Sequence, residues 1–261
     1  MGRLRDDVFL FNNASSIWSK QDARAPCGGR RARTSGYKTD ARRSGRDAVP
    51  RTSRSHRVSA APLIPAAPTL PAVRAAAAAC RACDLWQKGT QTVFGEGDEQ
   101  AEVMFIGEQP GDQEDRVGKP FVGPAGQLFD RALAEAGIAR RKVYITNVVK
   151  HFKWEPKGKR RIHVTPDATE IRACRPWLDA EAALIRPRII VCLGATAAQA
   201  VLGKEFRVTR QRGEFVASPL APQALATVHP AASLRIPDEG ARAAALARFI
   251  ADLKKVAAQL S

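Results

Sequence analysis

Apolar runs and helical spacings alternate along the chain beyond about residue 76. Short continuous runs at 102–106, 143–149, 188–193 and 224–228 read as strands buried on both faces. Between them, 124–137 and 166–185 space their apolar residues as one face of a helix. Pro124 and Pro166 fit first-turn positions, with Thr165 as N-cap of the second helix. Gly194 followed by Ala195–Leu202 reads as a strand-to-helix turn, and 241–258 as a terminal Ala-rich amphipathic helix. Strands alternating with helices predict an α/β fold, a central parallel sheet flanked by helices. No internal repeat is evident.

Residues 1–75 show no such period. They hold 15 Lys/Arg against 5 Asp/Glu, a net of +10, and are rich in Arg, Ser, Ala and Pro. The other 27 basic and 21 acidic residues leave 76–261 at +6, so the charge of the chain is concentrated in its first part. Low hydrophobicity with high net charge does not offset ordering entropy, so 1–75 is expected to be a disordered basic tail preceding a domain at 76–261. Its cations would add non-specific DNA affinity through counterion release. An Arg- and Ser-rich start is also the pattern of an organelle transit peptide, but Asp6 and Asp7 stand against it. Nothing approaches the 18 consecutive apolar residues of a membrane span; the Ala run at 75–79 is short. A bacterial cytoplasmic protein, associated with the nucleoid when bound to DNA, is expected.

Two segments carry the candidate chemistry. Gly107-Glu-Gln-Pro-Gly111 closes the first apolar run. It therefore places Glu108 and Gln109 in a turn at the carboxyl end of a strand, where open α/β sheets put their active sites. Lys159-Arg-Arg-Ile-His163 packs three cations beside an imidazole in a Gly-containing loop. Cations hold phosphates, and a neutral imidazole can attack an electrophile. Charge pattern alone reads this loop as a phosphate-binding one with an incidental His.

Five cysteines without a secretory signal argue against a disulfide framework. Cys80 and Cys83 form a C-x2-C pair, and Cys174 and Cys192 a wider one. Four thiolates complete a ligand set for zinc or an iron–sulfur cluster. Equally, Cys192 fits the interior of the strand at 188–193, since free Cys is commonly buried. Cys27 is left over.

The G-E-Q-P-G and K-R-R-I-H segments together resemble the UdgX branch of the family 4-like uracil-DNA glycosylases, known for bonding covalently to the DNA they process. Ordinary family 4 enzymes carry Ala where Gln109 stands and lack the basic His-bearing loop. The resemblance spans 78 to about 255 and implies the compact α/β fold of that superfamily. It implies a [4Fe–4S] cluster rather than zinc on Cys80, Cys83, Cys174 and Cys192.

It also gives roles to side chains that the residues alone leave open. Phe121, in Gly118-Lys-Pro-Phe-Val-Gly-Pro-Ala125, reads by itself as a core plug; the resemblance makes it the ring on which uracil stacks. Asn147, at the end of a strand, is either a strand terminator or an amide that reads uracil's adjacent carbonyl and N–H; the resemblance selects the second, beside Gln109 as a uracil-binding residue. His229 precedes Pro230 at a strand end, resembling the H-P-S motif, and is expected to donate to the uracil O2. Ala231 and Ala232 depart from that motif, so either the hydroxyl contact to DNA phosphate is lost or Ser233 replaces it. Asp112 and Asp115 are expected near the sugar, where carboxylates stabilise a cationic transition state, though a solvated acidic turn would also explain them. Lys159, Arg160 and Arg161 are expected to hold the DNA backbone.

After the base leaves, C1′ is electrophilic. An imidazole nitrogen of His163 within reach would capture it before water, with Glu108 accepting the N–H of the other nitrogen. Two other functions fit the same sequence: a multiple-turnover glycosylase in which His163 only binds, and a non-catalytic uracil-DNA binding protein. The expected partner is uracil-containing DNA, including single strands. A monomer is expected, because one cleft suffices.

Overall fold

The computed structural model describes residues 59–260. Four parallel strands form the centre of the sheet: β2 (Val103–Gly107), β3 (Val143–Asn147), β6 (Ile189–Leu193) and β8 (Gln223–Thr227). Two short antiparallel strands, β1 (Glu96–Gly97) and β7 (Phe215–Val216), close its edges in the order β1-β3-β2-β6-β8-β7. β2, β3 and β6 are buried at every position because both sheet faces are covered. Their near-continuous apolar runs follow from that double burial. The two edge strands are too short to leave a periodic signal, and the sequence did not reveal them.

Alternate side chains of each strand feed two apolar layers. On one face Met104, Ile106, Ile190 and Cys192 meet Trp177 and Leu178 of α4 (Ala168–Ile185) and Ala197 and Ala198 of α5 (Ala195–Leu202). On the other, Phe105 and Val191 meet Phe129 and Leu133 of α3 (Pro124–Glu135) and Phe249 and Leu253 of α8 (Glu239–Ala258). A fully buried ion pair crosses the first layer. Lys150 Nζ lies 2.5 Å from Glu181 Oε2 and donates to Thr146 Oγ1 and the Asn147 carbonyl. The Glu181 carboxylate also accepts from the Tyr144 and Thr146 hydroxyls and the Gly95 amide. A buried charge is tolerated only when its partners are this complete.

Two boundaries differ from the sequence reading. The N-cap of α4 is Asp167, not Thr165; its carboxylate accepts from Thr169 and Glu170, and Glu170 returns the bond to the Asp167 amide. An acidic cap that meets two amides and completes a capping box outcompetes a hydroxyl two residues earlier. The folded region also begins before residue 76. Helix α1 (Leu70–Ala78) buries Leu70, Val73 and Ala77, and the Ala60 amide donates to the Ala173 carbonyl. Its Ala-rich face looks low in complexity, yet small side chains suit a close helix contact. Residues 1–58, including Cys27, lie outside the described residues. Among the described residues no helix is long and apolar enough to cross a membrane.

His151, 6% exposed, contacts Thr92 Oγ1 through Nε2 at 3.0 Å. Burial pushes its pKa down to about 4, against an upward pull from Asp115. The unfolded chain therefore takes up this proton first as pH falls from about 6.5 towards 4. Stability should fall over that window by up to roughly 3 kcal/mol from this group. Urea unfolding at pH 7 and pH 4.5 checks it: His151→Gln should show a smaller pH dependence than the parent, and an equal dependence would contradict the assignment.

Candidate active site

The sheet order reverses at β2, whose neighbours β3 and β6 lie on opposite sides, and open α/β sheets form their cleft at the carboxyl ends of such strands. Glu108 follows β2 directly. Its Oε2 accepts the Thr196 hydroxyl at 2.5 Å, and its Oε1 lies 3.2 Å from His163 Nε2. That second contact is close but not aligned as a hydrogen bond, so Oε1 is buried without an aligned partner. Burial opposes ionisation of Glu108. The His163 imidazole and the Thr196 hydroxyl outweigh it, and the pKa lies below the ordinary carboxylate value.

Beside Glu108, Asn147 and Phe121 crowd the end of β2. Asn147 sits in register with Gly107 and its Oδ1 is buried without a hydrogen-bond partner among the described residues. A Cβ on Gly107 would fall 2.3 Å from that oxygen and 2.9 Å from Phe121 Cζ, so only glycine lets these two side chains approach the strand end this closely. Phe121 adopts φ 57°, a left-handed conformation that costs a non-glycine residue energy and tends to mark functional sites. Gly126 permits it, because a Cβ there would stand 1.8 Å from the Phe121 carbonyl oxygen. The Phe121 and His229 rings lie 5.8 Å apart at 34°.

His229 caps α7 (Pro230–Leu234): its Nδ1 accepts the Ala231 amide at 3.2 Å. The proton of the neutral ring is therefore on Nε2. Burial pushes its pKa down to about 4 despite the nearby Glu108 charge, so at neutral pH the ring is an uncharged Nε2–H donor. An orphaned acceptor, an uncharged donor and an aromatic face converge on one space.

The basic His-bearing segment is a hairpin rather than a loop: β4 (Trp154–Lys157) pairs antiparallel with β5 (Arg160–His163). A two-residue turn joins them, and Gly158 at φ 60° supplies the positive φ that primed hairpin turns need. Alternation along β5 then decides which side chains meet the cleft. Arg161 and His163 share one face. The Arg161 guanidinium bonds the Asp112 carboxylate and carbonyl, the Asp115 carboxylate at 2.6 Å and the Thr90 hydroxyl. It also lies over the Phe152 and Trp154 rings. The next residue on that face, His163, thereby reaches Glu108.

These positions revise several expected roles. Gln109, expected to read uracil, is 7% exposed with its amide fully engaged elsewhere. Its Oε1 accepts the Lys153 amide at 2.8 Å, and its Nε2 donates to the carbonyls of Lys153 and Val164. It fastens both ends of the hairpin to the turn after β2. Arg161, expected on phosphate, is turned inward. Asp112 and Asp115, expected at the sugar, hold it; Asp115 is fully buried. Ser233 is 2% exposed, packed on the inner side of α7, and offers no hydroxyl to a phosphate. Lys159 and Arg160 are exposed at the hairpin tip with Lys157. Thr196 was missed, although its place just beyond a strand end at the sheet reversal is a recognisable signal.

The four expected metal ligands all contribute to the apolar layer under α4. Cys80 Sγ accepts the Trp177 indole N–H at 3.2 Å, and Cys174 Sγ accepts the Lys150 amide at 3.3 Å. Burial pushes the Cys174 thiol up to about 12, with Cys83 and Cys80 also raising it. Cys192, also about 12, is raised by burial alone. As the side chains stand, no three His, Cys, Asp or Glu among the described residues form a group that could hold a metal ion. Cys83 and Cys80 both act on Cys174, whereas Cys192 is the thiol that stands apart from the other three.

Gln109→Ala removes three hydrogen bonds at the hairpin stem. The Lys153 amide, which loses its acceptor, should exchange with solvent at least about tenfold faster, the Val164 amide less so. Unchanged protection at Lys153 would contradict this fastening role.

Residues 94–254 match the uracil DNA glycosylase superfamily. The type-4 uracil-DNA glycosylase of Sulfurisphaera tokodaii is 40% identical over 166 residues, 60% of this chain and 72% of that protein. The type-4 enzyme of Thermotoga maritima is 41% identical over 155 residues, 59% and 77% of the two chains. A type-5 uracil-DNA glycosylase of Thermus thermophilus is 33% identical over 125 residues, 42% and 53%. A cleft at the sheet reversal, holding Glu108, Asn147, Phe121 and His229, thus stands in a chain that belongs to the uracil-DNA glycosylase superfamily.

Proposed function

We propose that this protein, a uracil-DNA glycosylase of DNA repair, joins itself through His163 to the abasic sugar that it creates. One observation carries the reading: His163, half exposed, stands 3.2 Å from the Glu108 carboxylate, on a hairpin fastened to that same turn.

The chemistry follows from the placements. The uracil nucleotide is extruded from its strand and its base enters the cleft. Phe121 stacks on the ring. Asn147 Oδ1 accepts the base N–H, and its amide nitrogen donates to the neighbouring carbonyl. As the glycosidic bond breaks, its electron pair leaves with uracil, and His229 Nε2–H donates to the oxygen where that charge collects. C1′ is left electrophilic. The His163 nitrogen turned away from Glu108 forms the new N–C1′ bond, with an advantage of roughly 7–11 kcal/mol over a diffusing water when well oriented. The imidazolium so formed keeps its Nε2–H towards Glu108, whose carboxylate pairs with the new charge. Because the bond to C1′ persists, the protein acts once.

Exposed Lys157, Lys159 and Arg160 would meet the DNA backbone on either side of the extruded nucleotide, in single-stranded DNA among other substrates, with one protomer supplying the whole cleft. Cys80, Cys83, Cys174 and Cys192 would hold a [4Fe–4S] cluster that cross-links the start of the domain to α4 and β6, a structural contribution.

Two measurements test this reading. His163→Ser should convert the protein into a multiple-turnover glycosylase that releases uracil and leaves free abasic DNA; loss of excision altogether would sink the assignment. Anaerobically purified protein should be brown, with about four irons and four sulfides per chain. A colourless preparation loaded with zinc would refute the cluster.

A further inference from the structure

Thr196 lies in the first turn of α5, just past the β6 strand end, and is half-buried. Its hydroxyl donates to Glu108 Oε2 at 2.5 Å. The two carboxylate oxygens of Glu108 are thus unequal. Oε2 is occupied by Thr196, whereas Oε1 is buried, unaligned with any donor, and turned to His163. A carboxylate on a flexible Glu stem has a rotatable final torsion, and one oxygen fixed by a short hydrogen bond fixes the direction of the other.

We infer that Thr196 is a positioning residue, which locks the Glu108 carboxylate so that Oε1 meets the His163 imidazole at the moment of attack on C1′. The inference rests on the covalent-capture reading and deepens it. The backbone at Glu108 is already held, since its carbonyl accepts the Val149 amide. The side chain is held at its end by Thr196, which restrains the torsion at the carboxylate. Without the hydroxyl the carboxylate can turn away, and its ionised form loses a donor. The charged or titratable groups facing Glu108 are then His163 from β5 and His229 from the turn after β8.

The separation of two rates makes this testable. Uracil release depends on Asn147, Phe121 and His229, none of which Thr196 contacts through a recorded hydrogen bond. Adduct formation depends on Glu108. In single-turnover reactions with a labelled single-stranded oligonucleotide bearing one uracil, Thr196→Val should slow adduct formation by about tenfold, the scale of one lost hydrogen bond to a charged group. A share of the product should escape as free abasic DNA. The acid limb of the adduct-formation profile should move to higher pH, because the carboxylate has lost a donor to its charged form. Thr196→Ser, which restores the hydroxyl, should return both the rate and the limb to the parent values.

Parent-like kinetics and pH profile in Thr196→Val, with adduct formed normally by the parent, would overturn this role and leave the capture reading intact. Equal slowing of uracil release and adduct formation, with no rescue by Ser, would mean that Thr196 only packs the strand end, and would likewise overturn it. Failure of the parent protein to form any adduct would remove both.

Discussion

Asp115 is a fully buried carboxylate whose partners are one guanidinium and one amide, Arg161 and Thr90. Removing Arg161 would leave the Asp115 carboxylate an uncompensated buried charge, at a cost on the order of 3–5 kcal/mol. The pairing therefore constrains where the hairpin can lie. Arg161 sits on β5 and Asp115 on α2 (Asp112–Val117), the helix that follows the Glu108 turn. Strand alternation puts Arg161 and His163 on one face, so fixing the first aims the second. Gln109 fastens the stem of the same hairpin from the same turn. The turn after β2 thus both supplies the carboxylate and holds the strand that brings the imidazole to it.

The G-E-Q-P-G and K-R-R-I-H segments are consequently one mechanical unit. This explains their joint occurrence without assigning every polar residue in them to the substrate. Glu108 and His163 face the cleft, while Gln109, Arg161, Asp112 and Asp115 hold the frame. Behind the other side of the cleft, Lys150 holds the Asn147 carbonyl from within the core. Asn147 and the hairpin that carries His163 are each anchored by a buried charge, Lys150 and Asp115, and such anchoring keeps polar groups pre-organised.

Much of this was legible in the sequence. The four parallel strands announced themselves because burial on both faces leaves unbroken apolar runs, and Gly107 marked the strand end where the cleft opens. Glu108, Asn147, Phe121 and His229 all fall in that cleft. Direction was not legible: nothing in the string Lys159-Arg-Arg-Ile-His163 shows that its third cation turns inward, because that follows from a hairpin register set by Gly158. Asp115 read as a carboxylate near the sugar, or as part of a solvated turn, because its true partner lies 46 residues away. Lys150, within an apolar stretch, gave no sign of the buried Glu181 that neutralises it. The start of the domain was misplaced because Ala-rich α1 buries small side chains that composition does not distinguish from a tail.

Bonding of His163 to the sugar can be observed directly. The most direct measurement is peptide mapping by mass spectrometry after the protein reacts with a short single-stranded oligonucleotide carrying one uracil. The account predicts one modified peptide, with the abasic nucleotide attached to His163 and free uracil released in equal amount. Released uracil with every peptide unmodified, or attachment at a residue other than His163, would contradict it.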